Sequence, residues 1–324
     1  MVSIDIGSVQ PICIFKDNFR VISLDTLAIA LLGQTHSIMF LDDRIAVYTP
    51  NRLSLFDGSG NYLRDIGQRG LASGEFITLS SVFYKNNVFG LFDVGGQRIL
   101  KFDADGIFID TKGFDMDSEH DGVQRIIPFF DGYAALLRYR GQFVETPTFG
   151  RFDRNLNLKE AAEKQRVSGG LSLYQPLSLF QNELLYWNMF DYTIYSIDEN
   201  FVVQEKYFIN FGRYSIPSRI IQSNDVDRIF EYIQENLANV VISIHHVVEE
   251  ESFLSFIFNV GYDLYLAILN KYSDDTKIYK LELPNFTLYS FMTIHNGYYV
   301  LCGVDMQNPY SNLEIIFIRQ DLLR

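Results

Sequence analysis

Residues 52–67 read RLSLFDGSGNYLRDIG, and residues 98–113 read RILKFDADGIFIDTKG. The two stretches align without a gap. Arg52 falls on Arg98, Phe56 on Phe102, Asp57 on Asp103, Gly60 on Gly106 and Gly67 on Gly113. In each, a short apolar strand runs into an aspartate, and a glycine follows three residues later. An aspartate opening a tight turn accepts backbone N–H groups, and glycine tolerates the positive φ at the turn's end. A second strand begins at once, so the unit is a hairpin. Weaker copies follow. Arg151-Phe152-Asp153 precedes Asn155 and a strand over 156–158, and Ser196-Ile197-Asp198 precedes Asn200 and Phe201-Val202-Val203. Successive turn aspartates, at 57, 103, 153 and 198, are spaced by 46, 50 and 45 residues.

A step of 45–50 residues, each holding four short strands, points to a β-propeller. Helical repeats would show a 3.6-residue period, which these segments lack. The first unit parses into strands over 36–41, 44–48, 53–57 and 62–66, and the second into 79–84, 88–93, 98–103 and 107–111. Further units span 125–158, 174–208 and 240–283. The sixth has three strands, near 288–292, 297–302 and 313–319. The unassigned strand 19–25 (FRVISLD) is expected to supply its fourth and remove an open edge. The expectation is therefore an all-β, six-bladed propeller of four-stranded antiparallel blades, forming a single domain over 1–324. One segment departs from the pattern. Over 217–237, apolar residues at Val226, Ile229, Phe230, Ile233 and Leu237 have helical spacing. Ser223 or Asn224 is placed to cap this helix, with Asp225 and Asp227 in its first turn. A rim-packing element and a lid are both open readings of it.

Composition narrows the function classes. Of 324 residues, 48% are hydrophobic and 15% aromatic, which excludes a disordered chain. The net charge of −13 and the lack of any Lys/Arg cluster exclude a nucleic-acid partner and disfavour an anionic membrane surface. Two cysteines, Cys13 and Cys302, are too few for a disulfide framework. A bridge between them and two free thiols both remain open. The apolar run 24–32 is too short to span a bilayer, so no transmembrane segment is expected. The opening MVSIDIGSVQ lacks the regions of a signal peptide, leaving a cytoplasmic protein or an exported one without its signal as alternatives.

The best-formed unit also carries a resemblance. Residues 67–76 read GQRGLASGEF. A strand follows, then Asp93, Gly95, Gly96, the run Arg98-Ile99-Leu100-Lys101-Phe102-Asp103, and Gly106. This resembles the NHL-type propeller repeat, in which a glycine-rich linker with a terminal Phe precedes the blade. The whole-chain layout resembles the six-bladed propeller proteins of gut-type Gram-negative bacteria, with their N-terminal closing strand, near-consensus second blade and late helical insertion. Many of these carry lipoprotein export signals. The resemblance implies a cell-envelope or periplasmic location and implies no reaction.

Motifs of chemistry are sparse. The 67–74 segment lacks the Gly-Lys-Ser/Thr ending of a P-loop and reads as an inter-blade linker. There is no Gly-x-Ser-x-Gly nucleophile motif. Adjacent His245 and His246 fall on an inner strand and are the expected channel-lining pair, where strand alternation would point one inward and the other into blade packing. His295, before Asn296-Gly297, reads as a turn residue. The acidic run 115–121 (DMDSEHD) lacks the fixed Gly and Glu of an EF-hand loop. Tyrosines such as Tyr186, Tyr192, Tyr262 and Tyr299 suit packing or a sugar- or peptide-binding surface. The loops joining outer to inner strands, and the two middle strands, form the expected ligand face, with His36, Asp93, Arg98, Arg138, Tyr139, Asn188, Asp191 and Asp305 as its candidates. The primary expectation is a non-catalytic, monomeric binding scaffold of the cell envelope for a protein, peptide or glycan, without a cofactor. The alternative is a propeller hydrolase, lactonase or lyase holding a divalent metal such as calcium in its channel.

Overall fold

An aspartate at or just after the end of the third strand sets the geometry of the first four repeats. Asp57 Oδ1 accepts from the backbone N–H groups of Ser59 and Asn61 at 2.8 and 2.9 Å. Asp103 takes those of Asp105 and Ile107, Asp153 those of Asn155 and Asn157, and Asp198 those of Asn200 and Val202, all within 3.0 Å. Asn270 plays the same part for Tyr272 and Ser273. One side-chain oxygen closing two backbone donors turns the chain back on itself.

The computed structural model describes residues 2–3, 5, 10–11, 19–25, 37–49, 52–116, 120–139, 148–163, 177–223, 225–273, 275–283, 286–305 and 313–324. Three short strands come first, β1 (Val2–Ser3), β2 (Gln10–Pro11) and β3 (Phe19–Ser23). Blade 1 holds β4 (Ser37–Phe40), β5 (Arg44–Thr49), β6 (Arg52–Asp57) and β7 (Tyr62–Asp65). The linker after it forms a small parallel ladder of β8 (Gln68–Arg69) and β9 (Glu75–Phe76). Blade 2 holds β10 (Leu79–Lys85), β11 (Val88–Asp93), β12 (Arg98–Asp103) and β13 (Phe108–Gly113). Blade 3 holds β14 (His120–Phe129), β15 (Gly132–Tyr139), β16 (Thr148–Phe152) and β17 (Leu158–Glu163). Blade 4 holds β18 (Leu177–Phe180), β19 (Glu183–Asn188), β20 (Asp191–Ile197) and β21 (Val203–Asn210). Helices α1 (Ser218–Ile221) and α2 (Val226–Asn236) follow. Blade 5 holds β22 (Val241–Glu249), β23 (Phe253–Val260), β24 (Asp263–Asn270) and β25 (Thr276–Lys280). Blade 6 holds β26 (Phe286–His295), β27 (Tyr298–Asp305) and β28 (Leu313–Arg319). Consecutive strands of every blade pair antiparallel, and β3 adds to β28 as the fourth strand of blade 6. The protein is a six-bladed β-propeller whose last blade is completed by the N-terminal strand β3, as the repeat predicts.

The chain divides into two compact units, residues 23–165 with blades 1–3, and residues 1–22 with 166–324 and blades 4–6. In the first, Tyr48, Leu55, Phe76, Phe89, Leu91 and Phe102 build a core between blades 1 and 2. In the second, Trp187, Ile194, Phe211, Val241, Phe256 and Phe258 do so between blades 4 and 5. Middle strands are buried on both faces, which their near-continuous apolar runs require.

Two further pairings fall outside what the repeat predicts. β1 runs parallel to β21, Val2 opposite Ile209, and β2 runs parallel to β25, Gln10 opposite Tyr279. The N-terminal strands thus pair with the outer strands of blades 4 and 5 and then supply that of blade 6. The helical insertion also differs in detail. It breaks into α1 and α2, and its cap is Asp225, whose side chain accepts from Arg228 N at 3.1 Å. Ser223 is not the cap because its hydroxyl donates to Ile220 O at 2.6 Å, closing the end of α1. Asn224 lies outside the described residues.

Candidate functional site

In the unit of blades 4–6, antiparallel pairing brings three connections to one end of the strands. They are the β19–β20 turn (Met189 and Phe190), the β23–β24 turn (Gly261 and Tyr262) and the α1–α2 insertion between β21 and β22. The insertion is anchored from below. Tyr192 Oη donates to Val241 O at 2.6 Å and accepts from Ile216 N at 2.8 Å. Phe190 N donates to Ile242 O at 3.1 Å, and the Phe190 ring meets Phe230 edge-on at 6.1 Å. Ile229 and Ile233, one turn apart on α2, close a small core with Phe190, Ile216, Ile220 and Val240. The amphipathic pattern of the sequence exists to fill this site.

The outer side of this end is polar and aromatic. Asp227, Arg228, Glu231 and Glu235 of α2 are exposed. Gly261, at φ +60°, lets the β23–β24 turn lie against Leu237 and Ala238, where a Cβ would meet Ala238 at 3.4 Å. The next residue, Tyr262, is 95% exposed. A tyrosine on a two-residue turn is a rigid ring with a hydroxyl, well suited to contacting a partner at low entropic cost.

Four of the eight residues expected on the ligand face, Asp93, Arg98, Asn188 and Asp191, are engaged in hydrogen bonds within the protein. Asp93 is fully buried. Its Oδ1 accepts from Ile77 N and Thr78 N at 3.1 and 3.0 Å, and its Oδ2 from Arg98 Nε at 3.1 Å. Arg98 also donates to Glu75 O at 3.0 Å. Both thus hold the linker that carries β8 and β9. Asn188 and Asp191 face each other across the blade-4 turn. Asn188 Oδ1 accepts from Met189 N, while Asp191 takes Thr193 N at 3.1 Å and Tyr195 Oη at 3.0 Å. Burial, then the Asp191 charge, pushes the Tyr186 and Tyr195 phenols well above the usual tyrosine range. Asp305 ends β27, half-buried. Arg138 and Tyr139 end β15, and His36 lies outside the described residues, as does Cys13. Cys302 is a buried free thiol.

The histidine pair sits on β22, the inner strand of blade 5. The pairing with β23 shifts register before Ile244 and again between His245 and Val248, and His246 has φ +45°. Simple alternation therefore does not sort the two side chains, and both are half-buried. Burial pushes His245 down to about 4, leaving it neutral at physiological pH. Among the described residues, no three or more His, Cys, Asp or Glu side chains converge to hold a metal ion.

One buried cluster lies in the run of three glutamates at 249–251. The Glu249 carboxylate is almost fully enclosed and accepts from Lys206 Nζ at 2.8 Å, Lys271 Nζ at 2.9 Å and Tyr207 Oη at 3.0 Å. It joins blade 5 to blade 4 at the end of the strands opposite α2. Sequence offers no signal for it, because its partners lie 22–43 residues away.

Comparison with known proteins follows the fold. The family described as "Domain of unknown function (DUF4934)" matches residues 11–314. Comparison with curated proteins yields no match. Among solved structures, a candidate exported protein of Bacteroides fragilis is 18% identical, with TM-score 0.74, covering 98% of this chain and 99% of its own. A member of the DUF4221 family from Bacteroides vulgatus is 9% identical, with TM-score 0.59 and coverages of 93% and 95%. A virginiamycin B lyase from Staphylococcus aureus, solved with quinupristin, is 10% identical, with TM-score 0.50 and coverages of 93% and 99%. At these identities the likeness is one of fold.

Proposed function

We propose a binding function from one premise: the chain belongs to the DUF4934 family of domains of unknown function. On this reading it is a non-catalytic scaffold of the cell envelope that presents the α2 end of blades 4 and 5 to a protein, peptide or glycan. The observation that carries the reading is the division of labour at that end. Asn188 and Asp191 are spent on internal hydrogen bonds, while Tyr262 stands 95% exposed on a turn braced by Leu237 and Ala238. Aromatic residues on rigid supports are the usual anchors of recognition surfaces. Likeness in fold to a candidate exported protein supports the envelope location. The test is chemical cross-linking in envelope extract of the native host, followed by purification. Tyr262→Ser is expected to lose the specific cross-linked partner that the wild type retains. Retention of that partner by the variant would remove this face from the reading.

The second reading is a propeller enzyme. It is favoured by the neutral imidazole of His245 on an inner strand, and by the fold it shares with a lyase. Elemental analysis of protein purified without chelator separates a metalloenzyme from the scaffold. A stoichiometric divalent ion would favour the enzyme.

A further inference from the structure

The outer edges of the blades are treated unequally by the chain itself. The edge of β21 carries β1, and that of β25 carries β2. At the start of the outer strand of blade 3, Asp115 bridges Asn157, the residue before β17. All three pairings are parallel. Among the described residues nothing is added to the outer strands of blades 1, 2 and 6, which are β7, β13 and β3, and of these β13 has the most exposed apolar residues beside it. Its side chains reflect that difference. Phe108 turns inward and meets Phe102 edge-on at 5.6 Å. Ile107, just before β13, and Ile109, at the bulge where the pairing with β12 shifts register, are 61% and 53% exposed. The Thr111 N–H is satisfied by Asp110 Oδ1 at 2.7 Å, a local contact that leaves this donor on the free edge. Apolar residues exposed on and beside an edge strand that is unpaired among the described residues are what natural proteins otherwise avoid.

We propose that β13 is an acceptor for an extended strand of a partner protein, carrying alternating apolar residues and adding in parallel as a fifth strand of blade 2. The occupant's chemistry follows from the chain's own additions. Val2 enters a blade edge from a segment that reads MVSIDI, and its side chain is buried beside Ile209 in the blade 4–5 core. A strand with the same alternation, laid on β13, covers Ile107 and Ile109 and takes the Thr111 N–H in place of Asp110. This surface is separate from the Tyr262 end.

The probe is a fluorescent peptide with the sequence of residues 1–11, titrated into the full chain and read by anisotropy. Saturable binding is expected. Ile109→Lys and Thr111→Pro are each expected to weaken it at least tenfold, the first by placing charge on the contact face and the second by deleting the edge donor. Both lie on an exposed edge, and thermal melts should match the wild type. A peptide with Val2, Ile4 and Ile6 replaced by serine should not bind. Tyr262→Ser should leave binding unchanged, so that failure here and failure of the α2-end reading are told apart. No binding to the wild type, or binding that neither β13 variant weakens, overturns the proposal. The latter result would mean that the peptide displaces β1 from β21.

Discussion

Asp93 and Asp191 sit where a ligand-binding carboxylate was expected, and each is used to tie down backbone. A carboxylate at a strand end is surrounded by N–H groups without ladder partners, and satisfying them is its default use. His245 is the residue whose environment has a solution consequence. Its folded value of about 4 lies below the ordinary 6.5 because burial disfavours the imidazolium. As pH falls below 6.5, the unfolded chain takes the proton first, so stability is lost until about pH 4, where the folded chain takes it too. The contribution is up to about 3 kcal/mol. His245→Gln should flatten this part of the stability profile, measured as urea midpoints at neutral pH and near pH 4. An unchanged difference between those midpoints would show the ring to be solvated.

The element that decides the candidate site is α2. Its helix is short, and a helix of this length in isolation is marginal. It is held by Ile229 and Ile233 against Phe190 and Ile220, and by its Asp225 cap. Ile229 is fully buried. Ile229→Ala should cost about 3 kcal/mol in chemical denaturation, the usual range for emptying a packed aliphatic site. Limited proteolysis should then cut within the insertion before any blade strand. Cleavage elsewhere first would mean that α2 folds as part of the blades. The broken form of the insertion follows from Ser223, whose hydroxyl closes α1 before Asp225 can open α2.

At the scale of the molecule, the N-terminal segment is the strap of the blade 4–6 unit. Removing residues 1–11 deletes β1 and β2 and opens the edges of β21 and β25. Removing 1–25 also takes the fourth strand of blade 6. The shorter deletion should remain folded, with a lower melting temperature and concentration-dependent self-association, since uncovered edges recruit strands from other copies. The longer one should lose several times more stability. Calorimetric melts and sedimentation velocity check both. Equal melting of the longer deletion and the full chain would show that β3 contributes nothing to the stability of blade 6.

The hairpin unit around Asp57 and Asp103 was legible from residues alone because its physics is local. An aspartate, a glycine and a strand on each side specify the turn wherever they occur. The spacing of those turns determined the number of blades, and a blade left with three strands pointed to residues 19–25 as its fourth, which the structure forms over Phe19–Ser23. Only tertiary structure decided the rest. β1 and β2 are two residues each, too short to carry a period. The burial of Glu249 depends on Lys206 and Lys271, and the register shifts in β22 override the alternation that would have sorted His245 from His246. The exposure of Tyr262 and of Ile109 was invisible because composition sets which residues prefer to be buried. Which neighbours arrive to bury them is settled by the packing of strands distant in the chain.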